Sequence, residues 1–532
     1  MQGQLSTDRG RKPAEFLVPS LAGTIFSLLF VILSLAIPEK LLIDCDTGFH
    51  IRAGEFILKH LTVPKHDIFS FIAPPPRWIA FEWLSEVIMA ITHRLMGLTG
   101  IVILFSFLIS LAYYLLFKII QRQSGNIVIA VVIALLAMTA SSIHWLARPH
   151  IFSLLLVIIW YYLLDLYQYK GKNYLFLFPP LMLLWVNLHG AFFLGFFLGG
   201  IYFLGNLLKF FFSEGPERPS YGRKSKMLFF ALAISLLVSL INPNGYRNLL
   251  LPFELLSSKF IMDHISEFLS PNFHELSLLP FEILLLFTLL ILAISKKKLN
   301  IIELALMVLL TNMSLYSVRN IPLFAVVVSP ILARQSEHAL AGQTGKFAGF
   351  LRERHKNISP VDMSARGYLW LVLPVVFVLG LAMSGRIDYH FDEKIKPAAA
   401  VEFLKKESVQ GNMYNEYEFG DYFIYSAYPQ YKVFIDGRAD MYGVERMKEY
   451  YKVNQLKPGW EKILDKYDVN FIVFNTDAIL SRFLLENNTW RLIYSDKVAN
   501  IFVKNVPLNH QLIEKYKNVI PAVIEDDKDD SI

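Results

Sequence analysis

Between positions 44 and 52 the chain reads Asp44-Cys45-Asp46-Thr47-Gly48-Phe49-His50-Ile51-Arg52, placing two carboxylates, an imidazole and a guanidinium within nine positions. Asp46 and His50 are four apart, so a helix through this segment sets them on one face. A carboxylate there can deprotonate or orient an acceptor group, and a guanidinium can hold an anion through two parallel hydrogen bonds. The segment directly follows the first strongly apolar run, 16–37.

A second set of polar residues recurs at the turns between later apolar runs. His144-Trp145-Leu146-Ala147-Arg148-Pro149-His150 is one, and Trp185-Val186-Asn187-Leu188-His189-Gly190 another. Asn242-Pro243-Asn244-Gly245-Tyr246-Arg247 and Arg319-Asn320 complete the set. Each has a plain reading. The Asn-Pro-Asn-Gly stretch is turn-forming, Arg148 and Arg319 could each snorkel to lipid headgroups, and His189 could be a satisfied packing histidine. Trp145 and Trp185 read as membrane-interface aromatics. The recurrence of Arg, His or Asn in every such turn favours a common purpose, an anionic ligand and most simply a phosphate.

The elements that must position these residues are membrane helices. The chain has 532 residues, 54% hydrophobic and only 18% charged, whereas a soluble protein carries about a quarter charged residues. Runs long enough to span about 30 Å of hydrocarbon recur. Eleven helices are expected, at 16–37, 99–121, 125–142, 150–168, 173–188, 191–212, 226–242, 277–295, 299–316, 321–334 and 367–385. The net charge of +6 is spread over many short loops, which fits membrane orientation and not nucleic-acid binding. One cysteine excludes an intrachain disulfide and a cysteine-based metal cluster.

Lys and Arg concentrate in alternate connections: Arg9, Arg11 and Lys12; Lys118 and Arg122; Lys170 and Lys172; Arg218 to Lys226; Lys296 to Lys298; and 334–366. The positive-inside rule makes these cytoplasmic. The N-terminus is then inside, and the Arg- and His-bearing turns are outside, as is everything beyond about 386. The expected setting is the cytoplasmic membrane of a prokaryote. Outer arginines run against the charge rule, so the ligand-binding reading gains from the topology.

The expected domains are a membrane bundle over 1–385, including a first outer loop at 38–98, then an extracytoplasmic α/β domain at 386–520 and an acidic tail at 521–532. Within the outer loop a short helix runs from His50 to His60. A further, amphipathic helix from Glu82 to Met96 either lies at the interface or crosses; Glu82, Glu86 and Arg94 favour the interface. In the C-terminal region a helix over 398–406 precedes a turn at Gly411, and 432–435, 469–474 and 501–503 read as strands.

Asp46-x-x-x-His50-x-Arg52 resembles the first-loop motif of oligosaccharyltransferases, and the whole plan resembles the GT-C membrane glycosyltransferases. Phe419-Gly420-Asp421-Tyr422-Phe423-Ile424 resembles their aromatic-rich Trp-Trp-Asp-Tyr-Gly element without its tryptophans. Asp436-Gly437-Arg438-Ala439-Asp440 falls where that family has an Asp-containing turn. The resemblance implies transfer of a sugar from a polyprenyl-phosphate-linked donor to a protein, lipid or glycan acceptor. It makes Asp46 the catalytic carboxylate, with Asp44 assisting. His50, Arg52, Arg148, His150, His189, Arg247 and Arg319 would bind substrate. The second outer turn lacks the acidic pair with which oligosaccharyltransferases hold metal, so a divalent cation, Mg or Mn, is left open. The alternative is a flippase or exporter of an anionic lipid-linked saccharide, and a polysaccharide polymerase or ligase is hard to separate from either. The enzyme is favoured because the polar residues crowd one face, while a transporter needs ionisable groups along a path to both.

Overall fold

The computed structural model describes residues 18–522 except Cys45, Gly342 and Arg366. The acidic run at 525–530 and the N-terminal Arg9, Arg11 and Lys12 lie outside the described residues. The chain is mostly helical, and each of the eleven expected segments is a helix. Among the described residues, five helices are long and apolar enough to cross a membrane: Trp83–Ser124, Ile127–His144, His150–Lys170, Gly190–Phe212 and Leu276–Ile294. The bent pair Lys346–Ser364 and Leu369–Met383 makes a sixth if counted as one span. Leu21–Ala36, Leu175–Leu188 and Ile301–Tyr316 are apolar but shorter. These helices make the chain a multi-pass membrane protein.

Local chemistry sets several helix starts. Asn126 accepts from the amides of Val128 and Ile129. Asn300 accepts from those of Ile302 and Glu303, and the Glu303 carboxylate accepts from the Asn300 amide, a capping box. Pro149 and Pro322 stand at the starts of His150–Lys170 and Ile321–Leu340, where a missing amide hydrogen costs nothing. The helix expected over 82–96 continues into the next one. Trp83–Ser124 is broken only at Met96 and Gly97, whose backbone leaves helical geometry.

At the bundle end remote from these prolines the buried charges meet. Arg334 donates to Asp165 at 3.1 Å, its Nε lies 3.0 Å from Glu303, and its guanidinium covers the Tyr169 ring at 4.4 Å. This joins Ile321–Leu340, His150–Lys170 and Ile301–Tyr316. We expect Arg334→Ala to cost about 3–5 kcal/mol, because it strands two carboxylates where lipid and protein exclude water. Thermal unfolding in detergent measures it; an unchanged midpoint would mean that the three groups are solvated.

The C-terminal region holds a sheet of four strands, β1 (Asn412–Asn415), β2 (Val469–Asn475), β3 (Trp490–Ser495) and β4 (Ala499–Lys504), in the order β1-β2-β4-β3. β1 runs parallel to β2, with Tyr414 beside Ile472; β2 and β3 each run antiparallel to β4, with Ile472 and Leu492 both opposite Phe502. The helix expected over 398–406 is Ala398–Glu407. Of residues 432–435, expected as a buried strand, Lys432 is exposed and Val433, Phe434 and Ile435 are buried, and they form no strand of this sheet. Val433 instead bridges to Ser70 of the first loop, exchanging hydrogen bonds with Phe69 and Phe71.

This pairing is one part of a shared core. Phe49, Ala53, Phe69, Ile72, Trp78 and Ala80 of the first loop pack in one apolar cluster with Phe419, Phe423, Phe434, Phe471 and Phe502. Arg438 pins the junction. It donates to Asp67 at 2.9 Å and to Asp436 at 2.6 Å, and its guanidinium lies 4.6 Å from the Trp78 ring and 5.0 Å from the Phe69 ring.

Candidate functional site

A cavity of about 620 Å³ opens where the bundle, the first loop and the C-terminal region meet. Asp44, Asp46, His50, Arg148, His150, His189 and Arg319 all line it. Its lining also includes Glu82, Glu86, His144, Glu267, Tyr417, Glu418, Arg438 and Asp440. Part of its lining is apolar, with Leu154, Val157, Leu194, Leu323 and Val326.

Asp46 begins the helix Asp46–His60. Advancing about 100° per residue, His50 returns to within about 40° of Asp46, whereas Arg52 lies about 120° away. Arg52 accordingly does not line the cavity. Its guanidinium is spent on the Tyr425 carbonyl and on Glu55, at 2.8 and 2.7 Å, and stacks over the Tyr425 ring. It fastens the first-loop helix to Tyr417–Ala427. Arg247 is also absent from the cavity and lies over the Tyr246 ring, though its neighbour Asn248 is in the lining.

Arg148 is the centre of the polar wall. Nη1 donates to Asp44 at 2.7 Å and to Glu267 at 2.6 Å, and Nη2 donates to Asp46. The expectation was a guanidinium held ready for phosphate; in the structure it gathers three carboxylates. Arg319 makes one long ion pair, 3.5 Å to Glu267, lies over the Phe268 ring at 5.3 Å, and is the more exposed of the two. Together Arg148 and Arg319 outweigh burial and hold the Glu267 carboxyl below the usual range. Glu267 escaped the sequence reading because it sits in a short turn, Ser266–Phe268, with no spacing that links it to Arg148.

Asp46 is pushed up to about 8. Burial raises it most, Arg148 pulls it down, and Asp44, Glu267 and Glu418 push it back up. Asp421 is a close neighbour. The Gly437 amide donates to the Asp421 carboxylate at 3.1 Å, and a Cβ on Gly437 would lie 2.4 Å from Asp46 Oδ1 and 2.9 Å from Asp421 Oδ2. Only glycine lets both carboxyl groups approach this backbone. Burial, then Asp46, raises Asp421 well above its ordinary value. The two segments singled out in the C-terminal region thus meet the first-loop aspartate directly.

His150 Nε2 lies 2.7 Å from the His144 carbonyl and donates to it. His189 Nδ1 accepts from the Ala191 amide at 3.2 Å and faces the Ser153 hydroxyl at 2.8 Å. Its other nitrogen, Nε2, then carries the hydrogen and points at Glu82, 3.3 Å away. Two expectations change here. Trp145 and Trp185 are buried, not interfacial, and Trp185 donates to Ser153 at 2.7 Å. Glu86 is buried facing the cavity and does not mark a wetted interface.

The metal position that the oligosaccharyltransferase resemblance implies is not matched. The turn 144–150 offers no carboxylate, and the Arg148 guanidinium lies where a cation bound to Asp44 and Asp46 would sit.

The chain overlays the archaeal oligosaccharyltransferase AglB from Archaeoglobus fulgidus, in complex with an inhibitory peptide and a dolichol-phosphate, with a TM-score of 0.55 at 12% identity. The match covers 86% of this chain and 69% of that one. ArnT from Cupriavidus metallidurans, bound to undecaprenyl phosphate, gives a TM-score of 0.46 at 13% identity over 91% of this chain and 99% of that one. In its apo state the values are 0.45 and 13%, over 92% and 99%. The AglB likeness shows that the chain has the GT-C fold. No protein-family model matches the chain, and no curated protein matches it.

Proposed function

We propose that the protein is a membrane glycosyltransferase that moves a sugar from a polyprenyl-phosphate-linked donor to an acceptor at the extracytoplasmic face of a prokaryotic cytoplasmic membrane, with the N-terminus inside. The observation that carries this is Asp46, held by Arg148 and sharing the Gly437 backbone with Asp421, in a cavity whose lining is both polar and apolar. The apolar part of the lining suits a prenyl chain, and the volume suits a sugar phosphate. AglB, the neighbour of like fold, holds a dolichol-phosphate.

The chemistry follows from the groups present. The acceptor's hydroxyl or amide proton passes to Asp46 as its oxygen or nitrogen attacks the anomeric carbon. The bond from that carbon to the phosphate oxygen breaks, and the lipid phosphate leaves with the electron pair. Its developing charge meets Arg319 and the N-terminal ends of His150–Lys170, Phe193–Phe212 and Ile321–Leu340, whose first residues or their immediate neighbours line the cavity. An exporter would need ionisable groups along a route to the other face; the buried ones there, Asp165, Glu303 and Arg334, are committed to one another.

Release of polyprenyl phosphate by purified protein in nanodiscs, given sugar-charged lipid donors and candidate acceptors, tests the proposal. The pH profile adds a second reading. A base must be ionised, and Asp46 is raised to about 8. The value of kcat/KM should therefore climb about tenfold per pH unit below that point and level off above it. A flat profile across it would remove Asp46 from the role of base.

A further inference from the structure

In the same cavity, one helical turn on from Asp46, three side chains converge without a role in the transfer just described. His50 comes from the first-loop helix, and Glu82 and Glu86 come from the start of Trp83–Ser124. The two elements are packed backbone to backbone at this level: a Cβ on Gly54 would lie 1.9 Å from the Glu86 carbonyl oxygen. The His50 ring stands between the glutamates, with Nδ1 3.3 Å from Glu86 and Nε2 3.8 Å from Glu82. One donor atom from each of the three lies within 4.8 Å of the other two.

We infer that His50, Glu82 and Glu86 form a binding site for a divalent cation of mixed nitrogen and oxygen preference, with Zn²⁺ or Mn²⁺ the fitting ions. Two observations besides the clustering point to a ligand. Glu86 is 1% exposed, yet its Oε2 has no hydrogen-bond partner. A buried carboxylate oxygen left bare is costly, and a metal ion satisfies it. Arg148 is engaged elsewhere, with Asp44, Asp46 and Glu267. Arg438 is held through Nε and Nη2 by Asp67 and Asp436; it acts on Glu86 from a distance and makes no ion pair with either glutamate. A charge of +2 among the three side chains neutralises both glutamates.

His189 belongs to the support of this site and is not a ligand. Its Nδ1 lone pair accepts from the Ala191 amide, so Nε2 is a donor, and it faces Glu82 Oε1. A histidine that donates to a coordinating carboxylate orients it. Three protein ligands with a position open to the cavity is the pattern of zinc sites that admit a further oxygen ligand. The site is distinct from the Asp44–Asp46 wall, where Arg148 takes the place of a cation.

The test uses the full chain in nanodiscs, stripped with EDTA and titrated with Co²⁺ followed by visible absorption, with Zn²⁺ as competitor. The expected result is one equivalent of Co²⁺, displaced by Zn²⁺. Glu86→Gln and His50→Gln should each weaken binding by at least about 100-fold, while His60→Gln, on an exposed histidine, leaves it unchanged. Should either variant fail to fold, X-ray absorption of the Zn²⁺-loaded wild type decides: one imidazole with carboxylate oxygens supports the site, and a sulfur or all-oxygen shell overturns it. Absence of stoichiometric binding to the wild type, or binding that survives both substitutions, also overturns it. Asp46→Asn should retain the metal, so a failure of sugar transfer and a failure of metal binding are separable.

Discussion

Asp46→Asn is expected to lower sugar transfer by about 10²–10⁴-fold, the usual loss when a general base is removed, while leaving binding of the lipid-linked donor largely intact. Asparagine is nearly isosteric. It keeps an oxygen that can accept from Arg148, so the wall of the cavity should survive. What it loses is the capacity to take the acceptor's proton, which matters in the transition state and not in the donor complex. Donor binding measured at equilibrium and transfer measured in a single turnover separate the two effects. Full transfer by Asp46→Asn would hand the role to Asp44, which shares Arg148. Activity in both single variants and in the double variant would make the first loop structural and favour the exporter reading.

The site was legible in part because its residues sit at helix ends, where polar types stand out against apolar runs. Asp46, Arg148, His189 and Arg319 are such residues, and the cavity unites them. The helical spacing also contained a distinction between His50 and Arg52, which differ by two positions and therefore by more than half a turn. Glu267 and Glu86 were not legible as site residues. Glu267 joins Arg148 across 119 positions, and Glu86 has the sequence setting of a polar face on an interfacial helix.

In the C-terminal region the apolar runs of β2 and β4 showed through because both are central strands, covered on two faces. β1 and β3 are edge strands, and their mixed residues, Asn-Met-Tyr-Asn and Trp-Arg-Leu-Ile-Tyr-Ser, carry little period. Residues 433–435 are apolar for another reason. They seal the first loop against the sheet instead of joining it.

Arg148 and Arg319 should behave differently although both are guanidiniums lining one cavity. Arg148→Ala removes the donor shared by Asp44, Asp46 and Glu267, and the carboxylates then repel one another and shift. A displacement of about 1 Å at a catalytic group can cost about 10²-fold in rate, so turnover should fall at least that far even at saturating donor. Arg148→Lys should not restore it, since one ammonium cannot serve two separated edges as the planar fork does. Because Arg148 pulls the Asp46 carboxyl downward, any residual activity of Arg148→Ala should rise at a higher pH than in the wild type. Arg319→Ala should instead weaken donor binding by about 10–100-fold, the worth of a hydrogen bond to a charged group, because the phosphate is already charged in the donor complex, and should lower turnover at saturation less than Arg148→Ala does. If Arg148→Ala weakened donor binding and left both turnover and the pH profile unchanged, Arg148 would be the phosphate anchor after all, and its three carboxylates would be placeholders that the donor displaces.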